Sequence, residues 1–116
     1  MWSERDVALV EEMRMALASI ADLIEGEERE AFLADKAKPH ALAMFFVVLG
    51  EAANKVSPAV KSAYPELAWS YAAKLRHLIA HEYQRVDHQQ LWEFATLDAP
   101  EMLAYLPQPP EPEAFD

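Results

Sequence analysis

Cysteine is absent from this chain of 116 residues, which excludes disulfides and thiolate metal sites and fits a cytoplasmic protein. Glycine occurs only twice, and with 53% apolar residues and abundant Ala, Leu and Glu this favours helix over sheet. No apolar run approaches the ~18 residues of a membrane span, so no membrane partner is expected. The opening Met1-Trp2-Ser3-Glu4-Arg5 does not have the composition of a signal peptide. No internal repeat or second domain is visible. A chain of this size can form one core, burying roughly two-thirds of its unfolded surface.

Basic side chains are scarce and unevenly placed. The net charge is −10. Residues 1–35 carry three basic and ten acidic side chains, and residues 93–116 carry six acids and no base. Only residues 36–92 are net basic, with seven basic against four acidic groups, and all four histidines (His40, His77, His81, His88) lie there. Acidic flanks of this kind either keep a small protein in solution or answer a basic partner and restrict which anionic ligand approaches the basic segment.

The periodicity predicts helices joined by short turns. Ser3 is a plausible N-cap with Asp6 three residues on, close to a capping box. Val10, Met13, Leu17, Ile20 and Ile24 then repeat at helical spacing, ending near Gly26. A short helix is expected over 27–37. Pro39 suits the first turn of a third, running over 41–56 and stopping at Ser57-Pro58. That third helix is apolar almost all round and should be the central one. Pro65 introduces a fourth, over 69–82; Asp87 caps a fifth, over 88–97, and Pro100 starts a last turn. The fold class is therefore all-α, an up-and-down bundle of four to five helices. A single domain is expected over 1–106, followed over 107–116 by a Pro-rich acidic flexible tail.

The end of the fourth helix carries the chemistry. Arg76, His81 and Tyr83 stand at the spacing R-x-x-x-x-H-x-Y. A permanently charged fork donor beside an imidazole that titrates near neutrality is the minimal kit for cleaving a phosphodiester without metal or cofactor. His81 can serve as base or acid, and Arg76 can hold two phosphate oxygens and stabilise added charge. Five residues on a straight helix lie about 140° apart, so the pair converges only if the helix unwinds near His81 or a second subunit supplies its copy. On spacing alone, the plainer reading is a salt-bridged surface arginine and a C-terminal histidine favoured by the helix dipole. His77 and His81 have the i,i+4 spacing of metal ligands, but no third ligand sits at fixed spacing, so no metal is assigned. His77 instead adds positive potential or a second proton carrier. Glu51 and Asn54, polar positions in the apolar third helix, are candidates to orient Arg76 or His81. Trp69, Trp92 and Phe45-Phe46 are expected in the core or an interface, and His40 in a helix first turn without chemistry.

Blocks along nearly the whole chain resemble the HepT-like branch of the HEPN superfamily. They are Phe32-Leu33-Ala34-Asp35, Leu49-Gly50-Glu51-Ala52-Ala53-Asn54-Lys55-Val56-Ser57, Tyr64-Pro65-Glu66, Trp69, Arg76 through His81-Glu82-Tyr83, Val86-Asp87, Trp92 and Pro100-Glu101. The resemblance implies a helical bundle that forms a homodimer, with both copies of the Arg–His motif facing one cleft. It implies the toxin of a toxin–antitoxin system, a metal-independent endoribonuclease with Arg76 and His81 catalytic. It further implies restraint by a nucleotidyltransferase antitoxin, with Tyr83 as the acceptor of AMP. Two positions depart from the family pattern: His77 stands where Asn or Asp is usual, and Glu82 where Gly is frequent. A second class of function follows from those departures, a non-catalytic binding or substrate subunit of a nucleotidyltransferase. RNA cleavage by Arg76 and His81 variants separates the two.

Overall fold

The structure, a computed structural model, describes residues 2–109. Seven α-helices follow in order among these residues: α1 Glu4–Ile24, α2 Arg29–Ala34, α3 Lys38–Lys55, α4 Pro58–Ala63, α5 Trp69–Glu82, α6 His88–Glu93 and α7 Ala99–Tyr105. A 3-10 turn, Tyr83–Arg85, ends α5, and a π-helical turn, Phe94–Asp98, joins α6 to α7. No strand occurs among the described residues, and the fold is the all-α bundle expected.

Each helix starts where local chemistry allows. Ser3 Oγ accepts the N–H of Asp6 at 3.0 Å, capping α1. The Asp6 carboxylate reaches beyond Ser3 to a distant chain segment. It accepts the Ser57 N–H at 2.9 Å and the Ser57 hydroxyl at 2.7 Å, tying the start of α1 to the N-cap of α4. Gly26, at φ +70°, takes the left-handed turn after α1 that an L side chain would resist. Helix α2 is shorter than its expected span because Asp35 Oδ1 accepts the N–H groups of Ala37 and Lys38, closing a turn before α3.

Two stretches differ from the sequence-based expectation. Ser57-Pro58 ends α3 but also starts α4, with Ser57 as cap and Pro58 in the first turn. The fifth helix and the turn after Pro100 are one continuous path through the π turn, where the Ala99 N–H reaches back five residues to Phe94 O. The wider turn accommodates Pro100, which has no N–H to offer.

Helix α3 is central, packed along α1 on one side and antiparallel to α5 on the other. Its Leu42, Phe46, Leu49 and Ala53 meet Val10, Met13, Leu17 and Ile20 of α1 and Leu75 and Ile79 of α5 in one core. Phe32 and Trp92 pack with ring centroids 5.1 Å apart, and Trp69 is buried. Two apolar side chains on the outward stripe of α3 remain exposed: Met44 at 60% and Val48 at 42%. No helix among the described residues is long and apolar enough to cross a membrane. Of the expected tail, Pro107 is buried and its carbonyl accepts Arg14 Nη2 at 3.0 Å; residues 110–116 lie outside the described residues.

Candidate active site

Arg76 owes its position to a glycine. Gly50 on α3 lies so close to α5 that an added Cβ would collide with the Arg76 side chain and stand 2.5 Å from the Ala72 carbonyl oxygen. The two helices therefore meet at near backbone contact, and the guanidinium is laid across α3. There Nη2 donates to Glu51 Oε1 in an ion pair. Glu51 also faces Lys55 at 3.9 Å, so its carboxylate is shared between two cations. Arg76 Nε is buried and without a hydrogen-bond partner, leaving donor capacity unused.

A hollow of about 360 Å³ opens beside this pair, lined by Glu51, Asn54, Ala73, Arg76 and His77. His81 lies outside it. It lines a second hollow with Ala80, Glu82, Tyr83, Gln84 and Arg85. Helix α5 stays regular to its last turn and breaks only at Glu82, whose backbone turns to φ −133° and ψ 36°. The break comes after His81 and so does not swing it toward Arg76. His77 bridges the gap: its ring packs against that of His81 with centroids 4.5 Å apart, while it shares the first hollow with Arg76. Arg76, His77 and His81 thus form one polar strip along α5. Glu82 points into a weak contact with Arg85 at 4.0 Å.

Tyr83 is half-buried and its hydroxyl is hydrogen-bonded to His40 Nδ1, with His88 Nε2 at 3.5 Å. Burial raises its phenol above the usual 10.0. His40 does lie in the first turn of α3, as expected. Its contact with Tyr83 is not visible in local spacing, because 43 residues separate the two. The antiparallel pairing of α3 with α5, which sets Gly50 against Arg76, is what brings the start of one to the end of the other. Among the described residues no group of three His, Cys, Asp or Glu side chains is placed to hold a metal ion.

The site is thus an arginine paired to Glu51 with an exposed histidine pair beside it, on α5 of an all-α bundle. The chain matches the family described as Ribonuclease HepT-like over residues 13–108, and it belongs to that family. Membership makes it an RNA endonuclease by class. It is 28% identical over 100 residues to the Methanocaldococcus jannaschii protein named "Putative RNase MJ1216", covering 85% of this chain and 83% of that one. It is 31% identical over 90 residues to the Thermococcus cleftensis protein named "Probable ribonuclease HepT", covering 74% and 82%. No solved structure matches the chain.

Proposed function

We propose that this chain is the cytoplasmic toxin of a toxin–antitoxin pair, a metal-independent endoribonuclease acting as a homodimer and neutralised by a nucleotidyltransferase that modifies Tyr83. The observation that carries the reading is the strip on α5: an arginine anchored by Glu51, sharing a hollow with His77, whose ring packs on an exposed His81. Cleavage of RNA without metal needs a base for the 2′-hydroxyl, an acid for the departing 5′-oxygen and positive charge at the phosphorane. In the proposed reaction one imidazole takes the 2′-proton as that oxygen attacks phosphorus. A second imidazole protonates the 5′-oxygen as its bond to phosphorus breaks. Arg76 holds the non-bridging oxygens throughout. Asn54 and His77 line the approach. Two copies related by a two-fold axis would supply both imidazoles, and the exposed Met44 and Val48 of α3 would give that contact an apolar centre.

The test is cleavage of single-stranded RNA by wild type and by Arg76→Ala and His81→Ala. Each substitution is expected to lower the rate at least about 100-fold, the usual contribution of one positioned proton carrier or charge donor. Melting temperatures should hardly move, since neither side chain is in the core. Products should end in 2′,3′-cyclic phosphate, and EDTA should have no effect. A cut abolished by EDTA overturns the metal-free reading. Full activity in both variants removes the assignment. The non-catalytic alternative has Glu82 beside His81 in its favour, and wild type inert on every RNA tried would decide for it.

A further inference from the structure

Two histidines from different helices converge on the tyrosine that closes α5. His40 comes from the first turn of α3 and His88 from the start of α6. His40 Nδ1 contacts Tyr83 Oη, and His88 Nε2 lies 3.5 Å from the same oxygen. The His40 ring stands edge-on to both others, with centroids 5.5 Å from Tyr83 and 5.5 Å from His88. His40 is exposed and the other two are half-buried, so the phenol oxygen is held in place yet open to a reagent.

A phenol is a weak nucleophile until its proton is taken. Burial holds this one protonated to higher pH than a free tyrosine, so the spontaneous phenolate is scarcer than usual. Reaction at Oη at neutral pH therefore needs a base already in contact. A nitrogen that accepts the phenol's hydrogen is unprotonated, which puts the ring proton of neutral His40 on Nε2.

We propose that His40 is the general base that makes Tyr83 a nucleophile toward electrophilic phosphorus, primed to take a nucleotidyl group from a nucleoside triphosphate. The proposal rests on the reading of Tyr83 as the acceptor. Oη forms a bond to the α-phosphorus, the bond from that phosphorus to the bridging oxygen breaks, and pyrophosphate leaves with the electron pair. The phenolic proton passes to His40 Nδ1, and the imidazolium returns it to solvent. His88 packs against the His40 ring and keeps Nδ1 aimed at the oxygen.

The pair can be tested without the transferase, using an aryl sulfonyl fluoride in place of the nucleotide. There Oη bonds to sulfur, fluoride leaves, and the same proton goes to His40. Labelling at each tyrosine is followed by peptide mass spectrometry on the full chain. Tyr83 should react faster than Tyr105, although Tyr105 is 49% exposed. His40→Asn is the informative variant: its amide oxygen can still accept the phenol's hydrogen bond but cannot take the proton. It should slow labelling of Tyr83 about 100-fold, a typical general-base contribution, and leave Tyr105 and the melting temperature unchanged. Undiminished labelling of Tyr83 in His40→Asn overturns the proposal, and so does labelling that depends on EDTA, which would point to a metal on the same three side chains. The acceptor reading is checked separately, by the nucleotide mass on Tyr83 after co-expression with a nucleotidyltransferase of the proposed antitoxin class. If that mass is absent while labelling keeps its dependence on His40, the nucleotidyl part is overturned and the base–nucleophile pair is upheld.

Discussion

At the scale of single residues, the ion pair between Arg76 and Glu51 does two opposed things. It fixes a long side chain in one direction, which an arginine on a free helix surface would not hold without loss of entropy. It also places a carboxylate where, in the proposed reaction, the RNA phosphate would bind, weakening the field that attracts an anion. The two effects can be separated. Glu51→Gln keeps an acceptor for Nη2 and removes the charge, so KM for RNA should fall several-fold with kcat nearly unchanged. Glu51→Ala removes the anchor too, and kcat should fall roughly 10- to 100-fold, as for supporting groups behind a catalytic shell. Steady-state kinetics on one oligonucleotide distinguishes them; equal behaviour of the two variants would mean that Glu51 acts by charge alone. Polarity in an apolar helix made Glu51 and Asn54 legible in the sequence as neighbours of Arg76, and both line its hollow. The contact of His40 with Tyr83 was not legible, because it depends on the register between two helices, which no local pattern carries.

Among the elements, the positions that matter most are those where two helices touch. Gly50 is one. Its replacement by alanine would push against Arg76 and the Ala72 backbone, and the backbone cannot swing aside as a side chain can. Overpacking of this kind costs about 2–3 kcal/mol, a fall in melting temperature of roughly 10–20 °C for a domain of this size. Thermal unfolding of Gly50→Ala followed by circular dichroism checks it, and an unchanged midpoint would show that the helices can part freely.

Asp6 is the other such position. It is buried, and its carboxyl is held below the usual 3.8 chiefly by the Ser57 N–H, then by the Ser57 hydroxyl, against the opposing effect of burial. The unfolded chain therefore binds the proton first as pH falls. The tie between α1 and α4 contributes fully above the unfolded value and is lost as pH drops below 3.8 toward the lower folded value. Urea unfolding at a series of acid pH values should show that slope in wild type and a shallower one in Asp6→Asn. The role of Ser3 as a cap was readable from three residues. The longer reach of Asp6 to Ser57 was not, and neither was α4, since Ser-Pro is as good an ending for one helix as a beginning for the next.

For the whole molecule, the distance along the sequence between Arg76 and His81 becomes a question of symmetry. Within one chain the two side chains line different hollows, joined only through His77. The all-α bundle with α3 at its centre was legible in the helical periodicity; what covers the outward stripe of α3 was not, because an apolar stripe carries no label for its partner. The exposed Met44 and Val48 make that stripe a poor surface to leave in water and a good centre for a two-fold contact. If the reacting site takes Arg76 from one subunit and His81 from the other, two dead variants should rescue each other. In a mixture of Arg76→Ala and His81→Ala chains that exchange freely, about half the dimers are mixed, and each mixed dimer has one site with both side chains intact. Cleavage should then reappear, at no more than about a quarter of the wild-type rate and lowered further by the second imidazole each mixed dimer lacks, from two preparations that are each inactive. Sedimentation at micromolar concentration must show dimers for the experiment to be read this way. A mixture that stays inactive while its dimers demonstrably exchange would put Arg76 and His81 of one chain in the same site, and a monomeric protein with full activity would remove the shared cleft altogether.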